Sequence, residues 1–535
     1  MEGSEGGRHR SRVWRWIGIV VIVVLAVVAG LATTATIMLK RAQPILKGRV
    51  VQTLQTHFNS RIELDDFNVS VMRGLEVSGR GLRIFAPEDV VEAGATAPIF
   101  TVGQFSFRAD VLGLFKHPTH VHTVHVSGLE IRIPPRQMRK AGVEQKPKRK
   151  IEMDADEIIC TDSRVLIESS KPGKDPKDFE LKQIVLRNVG RGTPLNYDAT
   201  LVNAIPKGDI QAKGTFGPWN PESPGDSSIT GTYRFDHADL NTIKGIGGTL
   251  SSAGQFGGQL NRIEVSGTTQ TPNFSLDSAN HPMPLSTKFK ATVDGTSGDT
   301  YLQPVEAKLG RSSFTCSGSV VNVRGQGHII DLDVDVPQGR LEDFLSLAVK
   351  TTPVVMTAQL GMKTKLHIRP GKESVAQKIS MQGHFTMAAI HFTNPETQDK
   401  VDEMSERAQG HPDLAKAGAD DVRSHMTGRF VMDDGRLRVD DLNYQLPGAT
   451  VNLVGVYSLD GQQFEFAGKV TTQAKVSQMV KKGWKSALLK LADPFFTKDG
   501  AGAVVPVKIS GTKSAPKFGL DFGGKTEKSL EERHR

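Results

Sequence analysis

Apolar and polar residues alternate along much of the chain, and this period of two is typical of a β-strand with one buried face. The run IIDLDVDVPQ at 329–338 is the clearest case, since Leu332, Val334 and Val336 alternate with three aspartates. The aspartates offer oxygen ligands for a cation. The same alternation is expected where one face of a strand lies in solvent, and we adopt that interpretation.

Turn signals and helical spacing complete the pattern. Hairpins are predicted to turn at Asp434-Gly435 and at Asp460-Gly461, because Asp-Gly favours tight turns between alternating runs. Four segments interrupt the strands. Apolar residues at helical spacing predict helices over 44–58, 339–350 and 474–492, and the polar segment 395–410 predicts a surface helix or a loop. The pattern therefore predicts an all-β protein with a few short helices.

A short motif, apolar-x-apolar-Ser-Gly, recurs along the chain. It occurs at 75–79, 124–128, 263–267, 314–318 and 507–511. The segments 263–277 and 507–521 are identical at seven of fifteen positions. After Ser-Gly the apolar positions move from one parity to the other, as from Val124 and Val126 to Leu129 and Ile131. We expect a bulge or turn at each Ser-Gly that keeps one sheet face apolar.

The N-terminal region contains an apolar run of 23 residues at 17–39, whose only polar side chains are three threonines. As a helix it would be about 35 Å long, enough to cross a bilayer core of about 30 Å. A cleavable signal peptide is the alternative, but its apolar region is normally shorter. Basic residues flank both ends, so the short preceding tail decides the orientation. We expect a retained anchor with a cytoplasmic N-terminus.

Charge and cysteine content narrow the function classes. The chain of 535 residues carries a formal net charge of +9. Most of the excess lies at 136–150, which holds seven Lys or Arg and one Glu, so a broad basic face for nucleic acid is not expected. The segment 136–152 is predicted to be a linker or loop. Cys160 and Cys316 are too few for a disulfide framework, although a single bridge between them stays open.

The predicted helix 474–492 combines an apolar face with lysines. These are Lys481, Lys482, Lys485 and Lys490. A basic amphipathic helix lies on anionic membranes in many proteins. The alternative is a helix that caps the sheet and holds its lysines in solvent.

Candidate chemistry is sparse. The sequence contains no nucleophile elbow, HExxH, Walker loop or dinucleotide fingerprint in its proper context. One histidine cluster, His117, His120, His122 and His125, would need to converge with further ligands to hold a metal. No cysteine or carboxylate pair lies near it in sequence. We therefore expect no catalytic residue, no cofactor and no metal, and predict that the protein is not an enzyme.

Several longer segments carry a family resemblance. The anchor is followed by ILKGRVVQTLQTHFNSRIELDDFNVSVMRGLEVSGRGLRI, and later come VGQFSFRADVLGLFKHPTHVHTVHVSGLEIRIPP, GRFVMDDGRLRVDDLNYQLPGATVNLVGVYSLDG and VPVKISGTKSAPKFGLD. With these segments the chain resembles the AsmA-like proteins of bacterial envelopes, of the AsmA and TamB type, over roughly residues 10–525. Their motifs are diffuse turn-and-strand patterns, so no catalytic residue carries over.

The resemblance implies an organisation and a fold. The implied fold is an elongated, twisted, repetitive sheet that forms an apolar groove, as in the bridge-like lipid-transfer superfamily. The predicted regions are a cytoplasmic tail at 1–16, the anchor at 17–39, an N-terminal AsmA-like β region at 40–135, the basic linker at 136–152, a central β-groove at 153–350, a C-terminal AsmA-like β region at 351–522 and a disordered tail at 523–535.

The implied function is envelope or outer-membrane biogenesis, with phospholipid carried between membranes along the groove. The implied location is the bacterial inner membrane, with most of the chain in the periplasm. The expected partners are phospholipids, the inner membrane and outer-membrane or periplasmic proteins, without nucleic acid. Sample groove residues are Ile263, Val265, Leu332, Val334, Val336, Val507 and Ile509. The alternative is an anchored scaffold or assembly factor, in which these residues pack inside a closed β core.

Overall fold

The computed structural model describes the greater part of the chain from residue 60 to residue 521. The described residues are 44, 47–48, 50–52, 54–55, 60–70, 75–87, 97–109, 119–133, 153–167, 177–190, 193–218, 224–243, 245–277, 279, 281–295, 297–323, 326–348, 352–371, 373, 375–415, 422–458, 463–481, 496, 502–512 and 515–521. The predicted anchor at 17–39, the basic segment at 136–152 and the tail at 523–535 lie outside them. Within the described residues, no helix combines the length and the apolar character needed to cross a membrane.

The prediction of an all-β protein with a few short helices is confirmed. The chain divides into two compact units. Unit one comprises Met1–Ala204 and Ile210–Trp219, and unit two comprises Ile205–Asp209 and Asn220–Arg535. Strand β9, Lys207–Phe216, is shared between them.

Unit one contains a mixed sheet. Its strands are β1 (Ser60–Glu63), β2 (Asp66–Ser70), β3 (Leu75–Pro87), β4 (Phe100–Ala109), β5 (Thr119–Ile133), β6 (Met153–Ile167), β7 (Lys177–Val189) and β8 (Leu195–Ala204). Both β1 and β2 pair with β3, and from β3 onward each strand pairs with the next. Among these pairs β5 and β6 run parallel and the others antiparallel. A parallel pair needs a long crossover, and residues 134–152 connect the two strands.

Unit two is an antiparallel meander. Its strands are β10 (Ser228–Asp239), β11 (Ile246–Gly247), β12 (Thr249–Gln259), β13 (Arg262–Leu276), β14 (Met283–Val293), β15 (Thr300–Leu309), β16 (Ser312–Val323), β17 (Gly327–Arg340), β18 (Met356–Ile368), β19 (Ile379–Phe392), β20 (Ser424–Asp433), β21 (Arg436–Leu446), β22 (Ala449–Ser458), β23 (Phe464–Thr472), β24 (Ala503–Thr512) and β25 (Ala515–Leu520). From β12 to β25 each strand pairs with the next. The predicted turn at Asp434-Gly435 is present, with φ of 46° and 72°. The second predicted turn lies outside the described residues, between the paired strands β22 and β23.

Three helices whose bounds lie within the described residues interrupt the meander. They are α1 (Leu341–Ala348), α2 (Val375–Lys378) and α3 (Pro395–Gln409), and 3-10 turns occur at Pro224–Asp226, Leu240–Thr242 and Val476–Gln478. The prediction for 339–350 is therefore confirmed by α1. The polar segment 395–410 forms α3, which begins at an Asn394 cap and ends at Gly410 in the left-handed conformation, with φ of 88°.

In unit one, the predicted bulge lies at the expected Ser-Gly in β5, but in β3 it lies two residues further along. Gly128 follows Ser127 and has φ of 66°, as expected at a bulge. In β3 the left-handed residue is Gly81, also at 66°, rather than Gly79 of the Ser-Gly pair. The register places Gly81, Gly103, Gly128 and Asp162 in one row across β3 to β6. We call this set the kink row.

The kink row changes the parity of the apolar residues without shifting the register. The pairings of β3 with β4 keep one register on both sides of the row. Asp162 in β6 has φ of 48°, so the parallel neighbour of Gly128 kinks at the same level. The buried Ser163 hydroxyl accepts from the Leu129 amide and donates to the Thr161 carbonyl, which replaces hydrogen bonds of the interrupted ladder.

The two similar segments do not share one structure, which corrects the expectation of a common device at Ser-Gly. Residues 263–277 belong mainly to the single strand β13, and its register shifts between Thr271 and Phe274 rather than at Gly267. Residues 507–521 instead form the end of β24, a hairpin connection and β25. There the apolar phase changes because the chain reverses, with Val507 opposite Leu520.

Candidate functional site

One face of unit two carries a continuous row of mostly apolar residues. Residues directly opposite each other in an antiparallel pair point to the same side, so the register defines the row. From β13 to β24 it consists of Val265, Ala291, Leu302, Gly318, Leu332, Leu366, Met381, Met432, Leu437, Tyr457, Phe464 and Gly511. We call this side the apolar face of unit two.

All seven predicted groove residues lie on this face. Val265 and Leu332 belong to the row itself, and Ile263 pairs with Val293 two positions away. Val334, Val507 and Ile509 are also offset from the row by an even number of residues. Leu332 and Val334 are half-buried.

Val336 is the exception in its accessibility. Its side chain is 0 % exposed. It lies at the end of β17 that leads into α1, where Gly339 and Phe344 come together. A fully buried side chain contributes to packing rather than to an accessible surface, so Val336 is removed from the candidate site.

The opposite face of β17 and β18 is polar. The three aspartates of β17 pair across to the next strand: Asp333 with Lys365 at 3.3 Å, Asp335 with Lys363 at 2.9 Å and Asp331 with His367 at 2.6 Å. Their interpretation as a solvated strand face rather than a cation site agrees with these partners. Such exposed pairs contribute little to stability.

The polar face also carries a shallow depression of about 810 Å³. Polar and charged side chains from β17 to β21 line it, including Asp333, Lys365, His384 and Arg429. Val334 and Thr364 also border it, although the register points their side chains to the other face, so we infer that their backbone forms the floor. This depression differs in character from the predicted apolar site.

Phenylalanines lie opposite glycines on the apolar face. Phe430 is directly opposite Gly383, Phe385 opposite Gly428 and Phe466 opposite Gly455. A Cβ at Gly428 would lie 2.7 Å from Phe385 Cζ, so only glycine leaves room for the ring. The rings of Phe385 and Phe430 are themselves neighbours, with centroids 6.3 Å apart. The pairing fills the gaps left by glycine with flat apolar surface.

Helices cover one end of the apolar face. Leu341 of α1 packs with Ala358, Leu360 and Ile390, and Phe344 and Leu345 join this cluster. Ala408 of α3 packs in a second cluster with Val422, Leu446, Ala449 and Val451.

Tyr444 packs against both helix-covered clusters. Its hydroxyl accepts a hydrogen bond from Ser424 Oγ at 2.9 Å. Burial raises the pKa of this phenol, and the carboxylate of Asp402 adds to the increase. The end of the face beneath the helices is therefore a packed core with a neutral tyrosine at its centre.

Unit one has an apolar face of its own. Direct partners across β3 to β8 form a row of apolar and aromatic side chains. Its members are Val77, Phe107, Val124, Ile158, Leu186 and Tyr197. Beyond the kink row a second set continues with Leu82, Val102 and Leu129.

Each apolar face includes a cysteine. Cys160 lies between Val126 and Ile184, and Cys316 lies between Val305 and Val334. Both are free thiols, so the bridge left open by the sequence is not present. Burial raises the pKa of each thiol.

The predicted basic helix is only partly described. Residues 476–478 form a 3-10 turn, and Lys481 after it is exposed. Lys482, Lys485 and Lys490 lie outside the described residues.

One convergence of polar side chains is visible only in the folded chain. His120 and His122 of β5 lie beside Asp154 and Asp156 of β6. The aspartates are 34 residues further along the chain, so only the parallel pairing of β5 with β6 brings them to the histidines.

Comparison of the chain with protein-family models, with curated proteins and with solved structures finds no match.

Proposed function

We propose that this chain is an AsmA-like envelope protein, anchored in the inner membrane, that carries phospholipid acyl chains along the apolar face of its β-sheet during outer-membrane biogenesis. The observation that supports this proposal best is the apolar row of unit two, which crosses twelve strands from β13 to β24. A face that serves only as a local core needs no such length. A translocation surface needs apolar contact that continues from strand to strand.

Energetics favour a covered face. Exposure of apolar surface to water costs about 25 cal/mol per Å². Large exposed apolar patches on soluble domains mark binding sites. Acyl chains would remove this cost while their headgroups stay in water. Rings opposite glycines give a flat apolar surface, which suits a lipid that must slide rather than stop.

The alternative is an anchored scaffold whose apolar face is filled by protein. The complete burial of Val336 and the clusters beneath α1 and α3 support that alternative at one end of the face. The two proposals differ in what covers the accessible candidates, such as Leu332 and Val334: acyl chains in one and protein in the other.

Photo-crosslinking in the full-length chain tests the proposal. The photoreactive residue p-benzoylphenylalanine would replace Leu332, Val334 or Val265, one position at a time, in a bacterial host labelled with radioactive phosphate. After ultraviolet irradiation we expect a phospholipid adduct on the purified chain at each position, because the side chains lie on the apolar face.

Gln382 provides the matched control. It is exposed on the polar face, directly opposite Lys365, and should give no lipid adduct above background. Lipid adducts at both faces would indicate non-specific membrane contact and contradict the proposal. Adducts to protein alone on the apolar face would favour the scaffold.

A further inference from the structure

Two short motifs lie side by side in unit one. His120-Val121-His122 is part of β5, and Asp154-Ala155-Asp156 is part of β6. The two strands run parallel with His120 opposite Asp154 and Val121 opposite Ala155. Val121 and Ala155 are buried, at 1 % and 2 % exposure, and form a small core cluster.

This packing fixes the direction of the polar side chains. Because neighbouring residues in a strand point to opposite sides, the histidines and aspartates lie on the face away from Val121 and Ala155. The pairing of β4 with β5 shifts register between Phe107 and Ala109, so Val124 lies on the same side as Val121 although it follows His122 by two residues. Their backbone is held by the buried pair beneath them. The four side chains therefore converge on two paired strands rather than on a loop.

The distances match those of a metal-ligand set. Asp156 Oδ2 lies 3.3 Å from His120 Nε2 and 3.0 Å from His122 Nδ1. The three ligand atoms fall within 4.8 Å of one another. In a tetrahedral zinc site with bonds of about 2.0–2.1 Å, neighbouring ligand atoms lie about 3.4 Å apart. Small side-chain movements bring all three atoms to that spacing.

We propose that His120, His122 and Asp156 form a binding site for a divalent transition metal of the zinc class. Asp154 completes the site without binding the ion, since its Oδ2 lies 3.4 Å from His120 Nδ1. A carboxylate at that position holds the imidazole in the tautomer whose Nε2 lone pair faces the metal.

The donor set selects the metal. Two imidazoles and one carboxylate suit zinc or copper, whereas magnesium and calcium prefer sites made entirely of oxygen ligands. The site offers three protein ligands, which leaves one position for water or an exogenous anion. His122 is 53 % exposed, so the ion can enter from solvent.

Zinc binding by the full-length, tag-free chain in mild detergent tests the proposal. After treatment with a chelator and its removal, calorimetric titration with Zn²⁺ is expected to show one saturable site per chain. Asp156→Asn and His122→Ala should each weaken binding by at least about tenfold. Co²⁺ in place of Zn²⁺ should give the visible absorption bands of a tetrahedral ion, and both variants should lose them.

His125→Ala is the matched control. His125 is an exposed histidine on the same strand, opposite Ile159 of β6 rather than an aspartate, and its removal should leave binding unchanged. Thermal unfolding checks that each variant folds. Zn²⁺ should raise the Tm of the wild-type chain and of His125→Ala but not that of Asp156→Asn, because the ion ties two strands together only in the folded state.

The proposal is overturned if the folded wild-type chain binds no Zn²⁺, or if Asp156→Asn and His122→Ala bind as tightly as His125→Ala. Either result would leave the cluster as a set of ordinary histidine–aspartate contacts on a strand edge.

Discussion

Glycines on the apolar face of unit two leave room for neighbouring aromatic rings and backbone atoms. Gly455 lies opposite Phe466, and a Cβ there would contact both the ring and the carbonyl oxygen of Glu465, the latter at 2.5 Å. Backbone cannot move aside as a flexible side chain can. We therefore attribute the many Gly-containing strands to ring packing as much as to bending.

Replacement of Gly455 by alanine should lower the free energy of unfolding by about 1–3 kcal/mol, because the added methyl group overpacks the site. Gly519→Ala is the control, since nothing lies within 4 Å of a Cβ at that position. It should change stability by less than about 0.5 kcal/mol. Chemical denaturation of both variants measures the difference, and equal effects would contradict the role given to Phe466.

At the scale of elements, α3 is a polar helix with one buried face. Its Asp402 is 2 % exposed and accepts hydrogen bonds from the Val422 amide at 3.1 Å and from Gln398 Nε2 at 2.9 Å. Gln398 Oε1 in turn accepts from the Phe392 amide, and Ser405 donates to the Pro447 carbonyl. The polar side chains of α3 therefore satisfy backbone groups of the segments around it.

Asp402→Asn should lower the free energy of unfolding by about 1–3 kcal/mol, because the second carboxylate oxygen becomes an NH2 group that must find an acceptor at a buried position. Glu403→Gln on the same helix is the control, since Glu403 makes only a long contact of 3.8 Å with Arg407. Its effect should stay below about 0.5 kcal/mol. Thermal or urea unfolding compares the two. A larger loss in Glu403→Gln would contradict the account.

The same helix marks what local pattern predicts and what it does not. The alternation at 329–338 predicted a strand with one polar face, and β17 is such a strand. The hydrophobic spacing at 339–350 predicted α1. The segment 395–410 was ambiguous because its buried side chains are polar, and their partners come from distant segments such as Val422. Buried polar side chains cannot be recognised from the periodicity of apolar residues in the sequence.

The near-copies at 263–277 and 507–521 show a similar limit. Their shared residues indicate that the strand changes direction. They do not indicate whether it does so by a register shift or by a hairpin. In β13 the strand pairs on both sides, with β12 and β14, and absorbs the change as a register shift. The pairing of β24 with β25 resolves it as a hairpin. The neighbouring strands decide between these outcomes, as they decide that His120 meets Asp154.

At the scale of the whole molecule, each unit presents an apolar face with one native thiol. Because burial raises the pKa of Cys160 and Cys316, a smaller fraction of each is thiolate at a given pH. At pH 8 both should react with a maleimide at least about tenfold more slowly than a cysteine placed at exposed Gln382. The reaction should accelerate as the pH rises.

The labelling also bears on the proposed lipid. The test uses the full-length chain, and mass spectrometry reads each cysteine separately. Removal of bound lipid should accelerate the labelling of Cys160 and Cys316 but not that of the cysteine at position 382. Equal labelling rates for Cys160, Cys316 and the cysteine at position 382 would contradict this description of the two faces. So would a chain without free thiols in native conditions.

The kink row carries a consequence for how such a chain can change in length. Gly81, Gly128 and Asp162 adopt the left-handed conformation at one level of β3, β5 and β6 while the register is kept. An extra residue in one of these strands would invert its side chains relative to both neighbours. Insertions and deletions that evolution tolerates should therefore lie in the connections between strands. Alternatively, they should add or remove whole hairpins. Relatives of this chain are expected to differ by the number of strands rather than by the length of any one of them.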